Sequence, residues 1–353
     1  MSKYLSGRFG DIKAYVPGEQ PQDRSYIKLN TNESPFPPSP GVVAAISQRE
    51  ASRLNLYPDP DARDASLAIG RQFGFSPDNI ILGNGSDELL AFAFQAYCDA
   101  AAPAVYADIT YGFYSVFARA NCVGSRVIPL DESFNIVPSD YFNAGGTVFI
   151  ANPNAPTGLA LEPRDIEDII IHNPDNIVVI DEAYAAFGVQ SAAPLINKYA
   201  NLIVVHTMSK SKNLAGARVG YAFADRGLIA DLNAMKFSFN PYNVNRLSLL
   251  AAKAAMEDGA YYNDCVRKLI KTREQAMDDL IDRGFEVRHS KTNFLFAKPC
   301  FTGGEQYYLD LKERGVLVRH FSQERIKDYV RITIGDDKQM KALLAATDEM
   351  MGA

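Results

Sequence analysis

Residues 177–182 read IVVIDE, and residues 202–220 read LIVVHTMSKSKNLAGARVG. In each, a short run of apolar, mostly β-branched residues leads into charged positions. Asp181 closes the first run, and Lys210 stands just past the second. Short runs that are apolar at every position read as strands buried on both faces, the pattern of a parallel sheet covered by helices. Open α/β sheets bind ligands beyond the carboxyl ends of their strands. Each residue alone has an ordinary reading: Lys210 as a solvated loop lysine like its neighbour Lys212, Asp181 as a turn or helix cap. A buried carboxylate nevertheless needs a cationic partner, and a protonated ring nitrogen would serve.

Working outward, the same alternation of strand and helix extends in both directions. Strands are expected at 80–82, 104–106, 125–129, 147–151 and 219–224. Helices are expected at 41–53, 62–74, 87–97, 112–121 and 163–172. Residues 1–28 read as a polar, extended arm, and the prolines at 35, 37, 38 and 40 forbid regular structure after it. Beyond Asn240-Pro241 the pattern changes. A helical stretch spans about 245–283 with a break near Gly259. Shorter pieces follow at 292–297, 304–314, 316–319 and 330–334, with a last helix from 336. The fold class predicted is α/β, with a mainly parallel seven-stranded sheet in a large domain and a smaller α/β C-terminal domain. The expected divisions are an arm at 1–40, the large domain at 41–245 and the small domain at 246–353.

Composition narrows the function. The 353 residues carry 36 Lys+Arg against 42 Asp+Glu, a net charge of −6, and no long basic run. That balance disfavours nucleic acid and anionic membranes as partners. No apolar run reaches the length of a membrane span, and MSKYLSGRFGD at the start lacks the apolar segment of a signal peptide. A cytoplasmic chain is expected, with Cys98, Cys122, Cys265 and Cys300 as reduced thiols. The histidines show no metal-ligand spacing, and no GxSxG occurs, so no metal site is expected.

Four further signals fall at predicted strand ends. Gly83-Asn84-Gly85-Ser86-Asp87-Glu88 joins a strand to a helix; Ser86 suits the cap, and the helix start suits a single phosphate. Ser209 and Arg218, the latter near Gly216 and Gly220, would complete a phosphate cup beside Lys210. Asn152-Pro153-Asn154-Ala155-Pro156-Thr157-Gly158 forms a rigid turn. Tyr111 is an aromatic placed to stack on a ring. One cofactor uses an amine, a carboxylate, a phosphate cup and an aromatic together: pyridoxal 5'-phosphate.

With these stretches assembled, the chain resembles the fold type I pyridoxal-phosphate aminotransferases. Supporting stretches run from AYVPG at 14–18 and KLNTNESPF at 28–36 to MSKSKNLAGARVGY at 208–221 and VRITIG at 330–335. GNGSDEL, DEAY and RITIG, in this order, point to the histidinol-phosphate aminotransferase branch. The resemblance implies that Lys210 joins the cofactor aldehyde and shuttles a proton, and that Asp181 pairs with the ring nitrogen. It implies that Tyr184 bonds the ring 3-oxygen and Tyr111 stacks. Ser86, Asp87, Ser209 and Arg218 would surround the phosphate. Tyr57 would reach the neighbouring subunit's cofactor in a homodimer with shared sites. Arg331, Arg319, Tyr15 and Asn32 would hold the substrate.

The family usually has Asn where this chain has Ala155, and Asn154, one residue earlier, or a water is the expected substitute. The implied substrates are L-histidinol phosphate and 2-oxoglutarate, the products imidazole acetol phosphate and glutamate. Threonine-phosphate decarboxylases and aromatic amino-acid aminotransferases share most of these motifs. A non-catalytic regulatory protein on this scaffold would carry an added DNA-binding domain, for which the arm is too short.

Overall fold

A computed structural model describes residues 2–10 and 14–352; of the expected arm, residues 1 and 11–13 lie outside the described residues, as does 353 of the expected small domain. The chain enters through a short strand, β1 (Ile27–Lys28), and two short helices, α1 (Pro40–Ala45) and α2 (Gln48–Ala51). One helix was expected over 41–53. It breaks at Ile46-Ser47 because the Ser47 hydroxyl accepts from the Glu50 amide and starts a new helix there.

The large sheet then assembles. Helix α3 (Arg63–Phe73) precedes strand β2 (Ile80–Asn84), and α4 (Ser86–Tyr97) leads to β3 (Ala104–Ala107). Helix α5 (Phe113–Ala120), β4 (Ser125–Ile128), β5 (Thr147–Ala151) and α6 (Pro163–Ile171) follow, then β6 (Val178–Asp181), β7 (Leu202–Thr207) and β8 (Val219–Ala224). The seven strands lie in the order β2-β8-β7-β6-β5-β3-β4. Neighbours from β7 through β4 run parallel, whereas β8 is antiparallel to both β7 and β2.

Alternate residues of each strand enter different cores. Val178 and Ile180 join Leu202 and Val204 on one face, against α3 and α6. Val179 joins Ile203 and Val205 on the other, against α4 and α5. Burial on both faces explains why these strands are apolar at every position.

Helix α7 (Arg226–Phe239) was not anticipated. Its signals are modest: Asp225 accepts from the Gly227 amide as the cap, and Ile229 and Leu232 face the sheet three residues apart. Helix α8 (Arg246–Glu257) and the long α9 (Gly259–Asp282) follow, separated at Asp258 as the glycine suggested. Ala251, Ala252 and Ala255 of α8 belong to the large-sheet core, while Leu269, Ala276 and Leu280 of α9 belong to the core of the smaller unit. That unit contains β9 (Phe285–Val287), β10 (Phe294–Pro299), α10 (Gly304–Glu313), β11 (Val316–Leu317), β12 (Arg319–His320), β13 (Val330–Thr333) and α11 (Asp337–Met351).

The single strand expected at 316–319 is two. β11 pairs with β1, whereas β12 joins the antiparallel sheet β12-β13-β10-β9. Pairing with the distant β1 draws off Val316 and Leu317, a contact no local pattern encodes. β9 was also not foreseen.

The close approach of β8 to the turn after β2 requires a glycine. A Cβ on Gly220 would lie 2.4 Å from the Gly85 carbonyl carbon and 2.4 Å from the Ser86 nitrogen. Gly220→Ala should therefore destabilise the protein by about 1–3 kcal/mol. Denaturant unfolding is expected to show a lower midpoint at an unchanged slope.

Candidate active site

The parallel strands deliver their carboxyl ends to one edge of the sheet, and the antiparallel β8 delivers its amino end to the same edge. Arg218, the residue before β8, thereby meets the turn after β2, where its carbonyl accepts from the Gly85 amide and its guanidinium donates to Asp87. It adopts the left-handed conformation, φ 52°. A cavity of about 590 Å³ opens there. Tyr15, Asn32, Ser86, Asp87, Tyr111, Asp181, Tyr184, Ser209, Lys210, Arg218, Arg319 and Arg331 all line it. Two expected residues do not.

Asn154 is the first exception. Its amide donates to the Ile109 carbonyl (2.9 Å) and the Thr157 hydroxyl (3.1 Å) and accepts from the Thr110 hydroxyl (2.7 Å). Those bonds fix the turn and leave the side chain no group for the cavity, where Ala155 lies instead. The expected substitution of Asn154 for the family's asparagine is corrected on this ground. Tyr57 is the second. It is 77% exposed, stacks on Tyr242 with ring centroids 4.3 Å apart, and lies outside this chain's cavity.

At the cavity floor, Asp181 accepts from the Tyr114 hydroxyl (3.2 Å) and the Ala183 amide (3.1 Å). Among the described residues no lysine or arginine pairs with it. Burial pushes its carboxyl up to about 6, against the opposing pull of those two donors. Lys210 donates to the Thr31 carbonyl (3.3 Å). Burial, reinforced by the Arg331 guanidinium, brings its amine down to about 8. The Tyr184 hydroxyl accepts from the Asn32 amide (2.8 Å), and burial raises its pKa.

The phosphate-sized corner lies at the start of α4. Gly85, at φ 79°, caps the helix, and the first amides of α4 have no partner within the helix. Asp87 accepts from the Tyr111 hydroxyl (2.6 Å) and from Arg218 (3.1 Å), tying aromatic and guanidinium together. Ser209 accepts from the Thr207 hydroxyl (3.0 Å). A Cβ on Gly85 would meet Arg218 at 2.6 Å, so the glycine leaves room for that guanidinium.

The small unit closes the opposite end. Arg319 and Arg331 face each other across β12 and β13. Arg319 donates to the Val16 and Pro17 carbonyls of the arm. Arg331 is half-buried, donates to the Asn30 carbonyl (3.1 Å), and keeps an unpaired buried Nε. Tyr15 stacks on Phe113 at 4.1 Å.

Sequence reasoning missed Thr207, Tyr114, Phe113, Asn30 and Glu33. Thr207 sits in the quoted run LIVVHTMSK, and Asn30 and Glu33 both sit in KLNTNESPF. Tyr114 looks like any core aromatic until α5 brings it to Asp181.

This arrangement is that of a pyridoxal-phosphate aminotransferase site, and comparison agrees. The sequence profile of the aminotransferase class I and II family matches residues 24–346, and the chain belongs to that family. It is similar to the histidinol-phosphate aminotransferase of Marinomonas sp., 49% identical over 98% of this chain and 99% of that one. The corresponding enzyme of Brachyspira hyodysenteriae is 47% identical over 96% of each chain. Among solved structures, the histidinol-phosphate aminotransferase of Sinorhizobium meliloti in complex with pyridoxal-5'-phosphate superposes with a TM-score of 0.87 at 26% identity, covering 99% of both chains.

The residues present fit that cofactor. A buried carboxylate without a cation, a half-buried amine of lowered pKa, an anion-ready helix start and a guanidinium match the ring nitrogen, aldehyde and phosphate in turn. Among the described residues there is no cluster able to hold a metal ion.

The raised Asp181 carboxyl has a consequence for the cofactor-free protein. Because its folded pKa lies above the unfolded value, the unfolded chain releases the proton first. Stability therefore falls as pH rises from about 4 through 6. A rise to about 6 corresponds to at most about 3 kcal/mol. Thermal melts above pH 7 should show cofactor-free Asp181→Asn at least as stable as the parent. With the cofactor bound, the order should reverse.

Proposed function

We propose that this chain transfers the amino group of L-histidinol phosphate to 2-oxoglutarate, yielding imidazole acetol phosphate and glutamate in histidine biosynthesis. The observation that carries the reading is full-length identity to the Marinomonas enzyme. The cavity supports it by holding two opposed arginines, one with an unpaired donor, across from the amine of Lys210.

Pyridoxal 5'-phosphate supplies, when bound, an aldehyde for amines and a ring that accepts electrons from the substrate's α-carbon. Lys210 is the residue assigned to that aldehyde. Its lowered pKa leaves a substantial neutral fraction near pH 8, so it can take the α-proton and return it. Asp181 would hold its negative charge at the ring nitrogen. Tyr184 would hydrogen-bond the ring 3-oxygen, and Tyr111 would cover the ring face. Ser86, Asp87, Ser209 and Arg218 would hold the phosphate, with Ser86 and Asp87 contributing backbone amides.

Arg331 and Arg319 bind the substrate phosphate in one half-reaction and a glutamate carboxylate in the other, by fork-like hydrogen bonds. Asn32 and Tyr15 complete the substrate end. Arg319 now holds the arm at residues 16 and 17, so anion binding and arm position are linked.

The reading includes a homodimer. Val43, Ile46, Leu54, Leu56, Phe239 and Tyr57 are exposed, an unusual set of large apolar side chains for a surface that stays wet. A second copy would cover them and bring its Tyr57 to this chain's cofactor phosphate. The reading places the reaction in the cytoplasm, as befits amino-acid biosynthesis; no described helix is long and apolar enough to cross a membrane.

The absorbance of the cofactor-loaded protein tests the assignment. L-histidinol phosphate should bleach the cofactor band, and 2-oxoglutarate should restore it. Perturbation by phosphothreonine alone, with release of carbon dioxide, would replace the transaminase with a decarboxylase. Lys210→Ala should lower turnover at least about 1000-fold. Arg331→Ala should cost both half-reactions about 10- to 100-fold in kcat/KM; loss in only one would rule out the shared anion site. Mixed dimers of Tyr57→Ala and Lys210→Ala chains should regain activity that neither variant has alone.

A further inference from the structure

Among the described residues, three carboxylates line the cavity, and in two of them both oxygens accept hydrogen bonds. Asp181 receives Tyr114 and the Ala183 amide, and Asp87 receives Tyr111 and Arg218. The third, Glu33, stands in the turn after β1 and has no part in the mechanism described above. The Thr31 hydroxyl donates to its Oε2 at 3.0 Å, and the Lys28 ammonium lies 2.9 Å from the same oxygen. Among the described residues, Oε1 accepts nothing.

Burial raises the Glu33 carboxyl. The hydrogen bonds from Lys28 and Thr31 outweigh that effect and hold it below the usual range, so it is ionised at neutral pH. Glu33 also lies close enough to Lys210 for each charge to act on the other. The link is local, because the Thr31 carbonyl, two residues before Glu33, accepts from Lys210 Nζ.

Substrate shape connects these facts. In L-histidinol phosphate the carbon bearing the amine carries two arms, one ending in phosphate and the other in imidazole. The amine must come to Lys210. The phosphate goes to Arg319 and Arg331, so the imidazole is left among the remaining lining groups. An imidazole carries an N–H donor and titrates near neutrality, and a fixed carboxylate oxygen beside the amine site answers both properties.

We propose that Glu33 Oε1 accepts the imidazole N–H of the amine substrate and thereby selects an imidazole-bearing phosphate ester over esters with other side chains. This rests on the histidinol-phosphate reading. Glutamate, the other amine donor, carries no such ring and gains nothing from this bond.

The test follows single half-reactions of the cofactor-loaded protein by absorbance, using L-histidinol phosphate, L-phenylalaninol phosphate and L-glutamate. Glu33→Gln should raise the apparent Kd for L-histidinol phosphate about 10-fold. Phenylalaninol phosphate and glutamate should change little. The parent's affinity for L-histidinol phosphate should also rise as pH falls toward the imidazole pKa, a trend the variant should lose. Lys28→Met, which breaks the ion pair and keeps the carboxylate, serves as the control and should retain the preference.

Equal losses for all three amines in Glu33→Gln would mean that Glu33 acts through Lys210, and would overturn the proposal. Loss of the preference in Lys28→Met would do the same, by showing that the pair only shapes the turn. If the parent itself failed to react with L-histidinol phosphate while reacting with glutamate, the functional reading would fall, and this inference with it.

Discussion

A carboxylate held at the end of a buried strand without a cation is the constraint on which this site depends. Asp181 terminates β6 in the middle of a sheet covered on both faces. Two weak donors, Tyr114 and the Ala183 amide, do not offset the cost of burying its charge. The fold therefore carries a local cost that a protonated ring nitrogen at this place would relieve. In the proposed reading, cofactor binding and stability are coupled through this residue, and the same coupling would keep the ring charged for chemistry.

Sheet topology turns that constraint into a site. The parallel strands alone would bring Asp181, Lys210 and the start of α4 to one edge. Inserting β8 in the opposite direction between β7 and β2 adds Arg218 from its amino end. The insertion requires Gly220, since any side chain would strike the Gly85-Ser86 turn. One glycine thus sets how closely the phosphate corner and its arginine can approach.

The end of the cavity assigned to the substrate in the proposed reading is built differently. Arg319 and Arg331 stand on an antiparallel sheet of the smaller unit, and β1 ties the N-terminal segment to that unit through β11. Thr31, Asn32 and Glu33 follow β1 directly. Asn32 reaches Tyr184 and Thr333, and Thr31 reaches Lys210. The segment after β1 is therefore the bridge between the two units beside the Lys210 amine.

Much of this was legible in the residues themselves. Apolar runs such as IVVI and LIVV specify strands buried on both faces, and a strand's direction puts Asp181 and Lys210 at its carboxyl end, so the floor of the site follows from local pattern. The turn chemistry of Gly85-Ser86 and the family motifs carry the phosphate corner. What local pattern does not encode is pairing at long range. The splitting of residues 316–320 between two sheets depends on β1, nearly 290 residues earlier. Asn154 has the right chemistry for the cofactor, yet tertiary contacts with Ile109 and Thr110 engage its amide and leave Ala155 facing the cavity. Tyr114 and Glu33 gain their place only when α5 and the turn after β1 fold against Asp181 and Lys210. Strand character and strand-end chemistry are properties of a few consecutive residues, whereas a hydrogen bond between distant segments exists only once the chain has packed.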